Sequence, residues 1–304
     1  MGGSCEKPLF FVGMPRSGTT VLFELVTHNK VFAWPSNFTE RWPAMPALNL
    51  WRRVLENSLF SLPGEKAEYG GRHKANRLRV RSSEAYDFWD RISGVEFARS
   101  YLLETLPDER SIRRMRQAVE AIQHWQGKRK FAAKFTGPGR VQFLTQAYPD
   151  ALFVHVVRDG RAVVHSLLNT KFWRDKGGLS KPFWSGGLTT DDLDELAAAG
   201  NDPLILAALQ WRRVIETTEE ELSLLPDHRY MKVSYEEFVG APEQLLVDLF
   251  DYFAIDVDFS YLRKQVNDAA LANMNYKYHR HFPESLIARM TRVMQPVLAD
   301  HGYS

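Results

Sequence analysis

A chain of 304 residues, 44% of them hydrophobic, is long enough for one large α/β domain or two small ones and can bury a substantial core. Its 39 basic and 37 acidic residues leave a formal charge of +2, so the composition carries no global polyanion-binding signal and nucleic acid is not expected as a partner. A single cysteine, Cys5, excludes an internal disulfide framework and a cysteine-rich zinc site; with no long uncharged apolar run and no signal peptide, a cytoplasmic protein without a membrane span is expected.

The first element reads as a buried strand, "LFFVG" from Leu9, followed by the loop "MPRSG" and a helix opening "TTVLFEL". This nearly spells the phosphate loop G-x-x-x-x-G-K-[ST], whose glycines let backbone N–H groups cradle phosphates and whose lysine and hydroxyl serve a triphosphate and its Mg²⁺. Gly13, Gly18 and Thr20 stand in register, but Thr19 occupies the lysine position and Arg16 is the nearest cation. Amides at a helix N-terminus, the hydroxyls of Ser17, Thr19 and Thr20, and one arginine suit a single doubly anionic group without a metal.

From Trp34 to Gln126 the chain becomes aromatic-rich and proline-punctuated, then ends in a helix. Asp108 is placed to cap that helix, and Ile112, Met115, Val119 and Ile122 form its core-facing stripe. Trp34, Trp42, Trp51, Tyr86, Phe88 and Trp89 offer apolar and stacking surface there, and Arg72, Lys74, Arg77, Arg79 and Arg81 offer positive charge. A second strand, "KFAAKF" from Lys130, ends near Lys134, a candidate cation at its tip. A third, "ALFVHVV" from Ala151, ends at Arg158, and Ser166 follows about two helical turns on, so the pair can converge on a second anion. The Gly177-Gly178 and Gly186-Gly187 pairs between Trp173 and Pro203 predict a mobile loop or lid. "RYMKV" from Arg229 reads as a fourth strand, and amphipathic helices fill the rest. Strands alternating with helices predict an α/β fold, a P-loop-type parallel sheet flanked by helices. It is expected as one domain: residues 8–35 form the first phosphate loop and helix, residues 36–126 a helical and aromatic insertion, and residues 130–304 the remainder of the core.

"GMPRSGTT" followed by "VHVVRDGRAVVHSLL" resembles the sulfotransferase family, in wording closest to tyrosylprotein sulfotransferases and related bacterial sequences. The likeness continues in "AAKFTGPGRVQFLTQAYPDA", "QWRRVIE", "VSYEEFVGAPEQLL" and "LADHGY". It implies 3′-phosphoadenosine-5′-phosphosulfate (PAPS) as donor, adenosine 3′,5′-bisphosphate as product, no metal, and a hydroxyl-bearing acceptor. By carry-over Arg16, Ser17, Gly18, Thr19 and Thr20 would hold the 5′ end and Arg158 and Ser166 the 3′-phosphate. Tyr235 would sit near the nucleotide, and Lys277 would close over it. The chain departs from the tyrosylprotein enzymes at Thr170-Lys171, where they place an arginine.

Sulfuryl transfer is an in-line displacement resembling phosphoryl transfer, in which positioning and electrostatics do most of the work. Arg16 and Lys134 are candidates to meet the leaving group. The resemblance implies a base soon after the first helix, where Glu40 stands, with Ser36 the other match; His73 and Glu84 are its rivals. Two other readings stay open at this point: a nucleotide-binding protein without turnover, and a divergent P-loop kinase, which the missing lysine disfavours.

Overall fold

The computed structural model describes residues 6–27, 31–55, 80–257 and 259–303. Cys5, Arg72, His73, Lys74, Arg77 and Arg79 lie outside the described residues. Among the described residues five strands form one sheet: β1 (Leu9–Gly13), β2 (Phe32–Ala33), β3 (Lys130–Thr136), β4 (Leu152–Val157) and β5 (Tyr230–Ser234). Their order is β2-β3-β1-β4-β5, and every pairing is parallel. The four apolar runs are the four longer strands; β2, two residues long, carries no pattern to read.

The helices are α1 (Thr19–Thr27), α2 (Asn37–Arg41), α3 (Leu50–Leu55), α4 (Tyr86–Ser93), α5 (Glu109–Gln126), α6 (Val141–Ala147), α7 (Gly160–Leu168) and α8 (Lys171–Asp175). They continue with α9 (Thr190–Ala198), α10 (Pro203–Ser223), α11 (Tyr235–Gly240), α12 (Pro242–Tyr252), α13 (Phe259–Ala269), α14 (Tyr276–His281) and α15 (Glu284–Asp300). Among the described residues no helix is long and apolar enough to cross a membrane.

Strand alternation divides the core between the two faces of the sheet. Phe10 and Val12 of β1 pack with Trp89 of α4 and with Met115, Val119 and Ile122 of α5. Leu9 and Phe11 point the other way, toward Leu22 and Phe23 of α1 and Leu246 and Leu249 of α12. Phe10 and Phe11 are both fully buried, and each such side chain contributes roughly 2–3 kcal/mol by leaving water. The stripe on α5 is core, as its spacing predicts. Asp108 caps the helix by accepting from the Ser111 N–H at 2.7 Å, and Gly127, at φ 66°, ends it.

The Trp173–Pro203 segment is not a loose lid. Trp173 is buried and stacks on Phe183, with ring centroids 4.7 Å apart and planes 6° from parallel. Trp184 is buried too, and Ser185 donates its N–H to the Arg99 carbonyl at 2.7 Å and accepts from the Tyr101 N–H at 3.0 Å. The glycines that suggested mobility sit among aromatic anchors, whose burial outweighs the backbone freedom that glycine adds.

Candidate active site

The chain leaves β1 for the sheet edge on one side, while β4 lies on its other side, so the carboxyl ends of β1 and β4 frame a crevice at a topological switch point. The loop out of β1 is held open by glycine. Gly13 has φ 155°, and a Cβ there would stand 2.4 Å from the Val156 carbonyl oxygen. Gly18 has φ 88°, and a Cβ there would stand 2.7 Å from the Tyr235 ring. Between them Arg16 adopts φ 75°, a left-handed conformation that costs an ordinary residue roughly 1–3 kcal/mol and concentrates at functional sites. The loop opens directly into α1, whose first-turn amides lack helical partners and whose dipole favours an anion. Ser17 Oγ and Thr19 Oγ1 are buried there without a hydrogen-bond partner among the described residues. Such orphaned hydroxyls beside helix amides fit an oxyanion group that accepts from them.

The second half of the crevice starts at the end of β4. Asp159 caps α7 and pairs with Arg161 at 2.9 Å, which leaves Arg158 for the crevice. Arg158 donates from Nε to Asn275 Oδ1 at 2.8 Å and from its guanidinium to the Arg16 carbonyl at 2.7 Å. Its guanidinium carbon lies 4.2 Å from the centre of the Tyr235 ring, which in turn donates its hydroxyl to the Ala272 carbonyl at 3.0 Å. Arg16 reaches the other way, its Nε donating to Ser166 Oγ at 2.9 Å. The two loops therefore cross, each arginine engaging the other loop's territory. Burial pushes the Arg158 guanidinium below its usual value, and the fields of Tyr235 and Glu236 oppose that shift.

Arg16, Gly18, Thr19, Thr20, Arg158, Ser166, Tyr235 and Lys277 all line one cavity of about 790 Å³. That volume lies within the usual range for small-molecule sites, roughly 300–1,000 Å³. His165, one residue before Ser166, lines the same cavity. Its ring stacks on His281 at 4.9 Å. Burial, then His281, Lys277 and Arg158, hold its imidazole below the usual histidine value, which favours the neutral ring. A histidine one position before Ser166 on a helix gave no sign of facing the cavity until the helix was docked.

A third cluster adjoins the loop from the other side. The buried Lys134 donates from Nζ to Thr20 Oγ1 at 2.7 Å. Two residues on, Thr136 lines the cavity and donates its hydroxyl to both oxygens of Glu84, at 3.0 and 3.1 Å. Burial raises the Glu84 carboxyl above its usual range; Lys134 and the Thr136 hydrogen bond pull it down, and the neighbouring Glu40 pushes it further up. Tyr86 fixes the strand end by donating to the Thr136 carbonyl at 2.7 Å and accepting from the Thr136 N–H at 2.9 Å. Glu40 is exposed and accepts from Ser83 Oγ at 2.5 Å. Ser36 is buried and caps α2. The aromatics divide: Trp34, Phe88 and Trp89 are core, whereas Trp42 and Trp51 are exposed. Thr136 escaped sequence reasoning because a strand-end threonine carries no motif.

A family model described as the sulfotransferase family matches residues 8–259 of this chain. Among solved structures, sulfotransferase STF9 from Mycobacterium avium superposes with a TM-score of 0.62 at 15% identity, covering 98% of this chain and 77% of that one. Sulfotransferase STF1 from Mycobacterium tuberculosis gives a TM-score of 0.51 at 13% identity, covering 96% of this chain and 77% of that one. At such identities the structural likeness speaks to the fold. A search of curated proteins found no match.

Proposed function

The chain belongs to the sulfotransferase family and is a transferase, and from that premise we propose that it moves a sulfuryl group from PAPS to an acceptor hydroxyl, releasing adenosine 3′,5′-bisphosphate. The observation that carries this reading is the pair of crossed arginine loops on one cavity, with buried hydroxyls at the first loop that lack partners among the described residues. A ligand with one anionic group on each side of a nucleoside matches two such loops, and a triphosphate with Mg²⁺ does not need the second.

In this proposal the α1 amides with Arg16, Ser17, Gly18, Thr19 and Thr20 hold the 5′ end of the donor. Arg158, Ser166 and Lys277 hold the 3′-phosphate, and Tyr235 supports both Gly18 and Arg158. The Lys134–Thr20 pair stands where negative charge gathers on the departing phosphate. The general base is Glu84: it is bonded to a cavity-lining residue, and its raised affinity for protons suits a group that takes one from a hydroxyl. The acceptor oxygen forms the new S–O bond as its proton passes to Glu84, and the bridging S–O bond to the 5′-phosphate breaks. Glu40 acts on Glu84 through its charge. Residues 36–126 form the acceptor side, and the acceptor is a small molecule, a sugar or a peptidyl tyrosine.

The test is transfer of radiolabelled sulfur from PAPS to pooled phenols, sugars and tyrosine peptides. Label in an acceptor, abolished by Arg158→Ala, is the expected result; a protein that binds the bisphosphate product but never labels any acceptor class would contradict turnover.

A further inference from the structure

One carboxylate behind the donor cavity gathers more hydrogen bonds than its own helix requires. Glu236, the second residue of α11, accepts the Asp159 N–H at 3.2 Å and the Asn275 side-chain amide on one oxygen. On the other it accepts the Ser234 hydroxyl at 3.1 Å and the Tyr303 hydroxyl at 2.7 Å. Asn275 then accepts from Arg158 Nε at 2.8 Å.

A carboxylate only accepts and a guanidinium only donates, so a single amide orientation satisfies both neighbours of Asn275. The carboxylate therefore dictates which face of the amide Arg158 meets. Burial and the facing Glu236 push the Tyr303 phenol up, so it remains a donor across the physiological range. Arg158 is held by three anchors, Asn275, the Arg16 carbonyl and the Tyr235 ring, while it lines the cavity, where a guanidinium fork suits an anion.

We infer that Glu236, acting through Asn275 and secured by Tyr303, is the positioning group that holds Arg158 ready for the donor's 3′-phosphate. This deepens the PAPS reading and depends on it. The relay joins three stretches far apart in the chain, the end of β4, the start of α11 and the segment before α14, to the C-terminal residues after α15. Its cost is met in the free protein, so ordering the arginine is not charged against binding.

The experiment compares adenosine 3′,5′-bisphosphate with adenosine 5′-monophosphate by isothermal titration, on the wild-type chain and on Asn275→Ala, Glu236→Ala, Glu236→Gln and Tyr303→Phe. Their affinity ratio isolates what the 3′-phosphate adds. Asn275→Ala and Glu236→Ala should reduce that ratio about tenfold, as expected for a hydrogen bond to a charged group, with monophosphate affinity unchanged. Steady-state assays should show the same tenfold in the KM for PAPS with kcat unchanged. Glu236→Gln keeps an oxygen for Asn275 and turns its amide toward hydroxyls that can accept, so it should restore the ratio to within threefold of wild type. Tyr303→Phe should lower it less than Glu236→Ala does.

An unchanged ratio in Asn275→Ala would overturn the inference. So would a raised one, which would mean that Asn275 competes with the phosphate. Equal weakening of both ligands would reduce the relay to general structural support and overturn it too. A wild-type chain that binds the two nucleotides equally would instead remove the PAPS reading, and the inference with it.

Discussion

The proposed donor crevice and the proposed acceptor side are built on opposite principles. At the crevice, recognition is local: a strand end, a glycine loop and a helix start bring amides, hydroxyls and an arginine together within Gly13–Thr20, and β4 repeats the device at Arg158–Ser166. Between the crevice and the acceptor side, the proposed chemistry depends on contacts between distant residues. Lys134 meets Thr20 across 114 positions, and Thr136 meets Glu84 across 52. Backbone-built sites are compact in sequence because consecutive N–H groups make them. Side-chain acid–base sites are assembled by packing and leave no spacing to read.

The difference can be tested most severely at the carboxylate. Glu84→Gln should lower kcat by about 10²- to 10⁴-fold, the range for a general base, while nucleotide affinity measured by titration stays at wild type. The raised Glu84 carboxyl sets the sign of the pH dependence: the base is lost on acidification at a pH above that of an ordinary carboxylate, so kcat/KM falls earlier than a free glutamate would predict. A Glu40→Gln variant with the larger loss would move the base to Glu40 and break the proposed assignment.

Lys134 probes the boundary between the two regions. Lys134→Met should cost about 10²- to 10³-fold in kcat, the scale for removing one electrostatic stabiliser, with a smaller change in the KM for PAPS. A variant that loses only donor affinity would assign the lysine to the crevice instead.

Stability separates the regions as well. His155, fully buried on β4, is held at about 4 by burial, against an ordinary 6.5, although Glu219 at 3.7 Å opposes the shift. A depressed histidine binds its proton more readily in the unfolded chain, so its contribution is complete above pH 6.5 and falls away as the pH drops toward about 4. The difference corresponds to about 3 kcal/mol. Denaturant melts should therefore show His155→Leu losing that much less stability than wild type between these pH values; parallel curves would refute the assignment.

Gly13→Ala should destabilise by roughly 1–3 kcal/mol, because its Cβ would meet the Val156 carbonyl at 2.4 Å. The smallest effect is on the acceptor side: Asp108→Ala should cost about 1 kcal/mol by removing the cap of α5, without touching kinetics. Thermal melts with and without the bisphosphate distinguish the two variants, since only the first should also weaken binding.

What could be read in the sequence follows the same division. The four longer strands, the α5 stripe and the Asp108 cap were legible because burial and periodicity are local properties. Arg16, Thr20, Arg158, Ser166 and Lys277 were legible as motif positions, and the fold brings them to one cavity. Asn275 and Glu236 were not, because a polar residue that orients an arginine 117 positions away has no pattern in its own neighbourhood. The segment after Trp173 misled because glycine pairs signal freedom only when nothing packs on them, and here the Trp173 ring lies against Gly178 and the Tyr101 ring against Gly187.

The central claim is that the crossed arginine loops hold a nucleotide with phosphates on both the 3′ and 5′ positions and need no triphosphate. The most direct measurement is thermal unfolding with adenosine 3′,5′-bisphosphate and, separately, with ATP and Mg²⁺. At about a hundred times its dissociation constant the bisphosphate adds roughly 2.7 kcal/mol to the native state and should raise Tm by several degrees, with ATP and Mg²⁺ giving no comparable rise. A rise with ATP and Mg²⁺ alone would contradict the account and place the cavity among triphosphate sites.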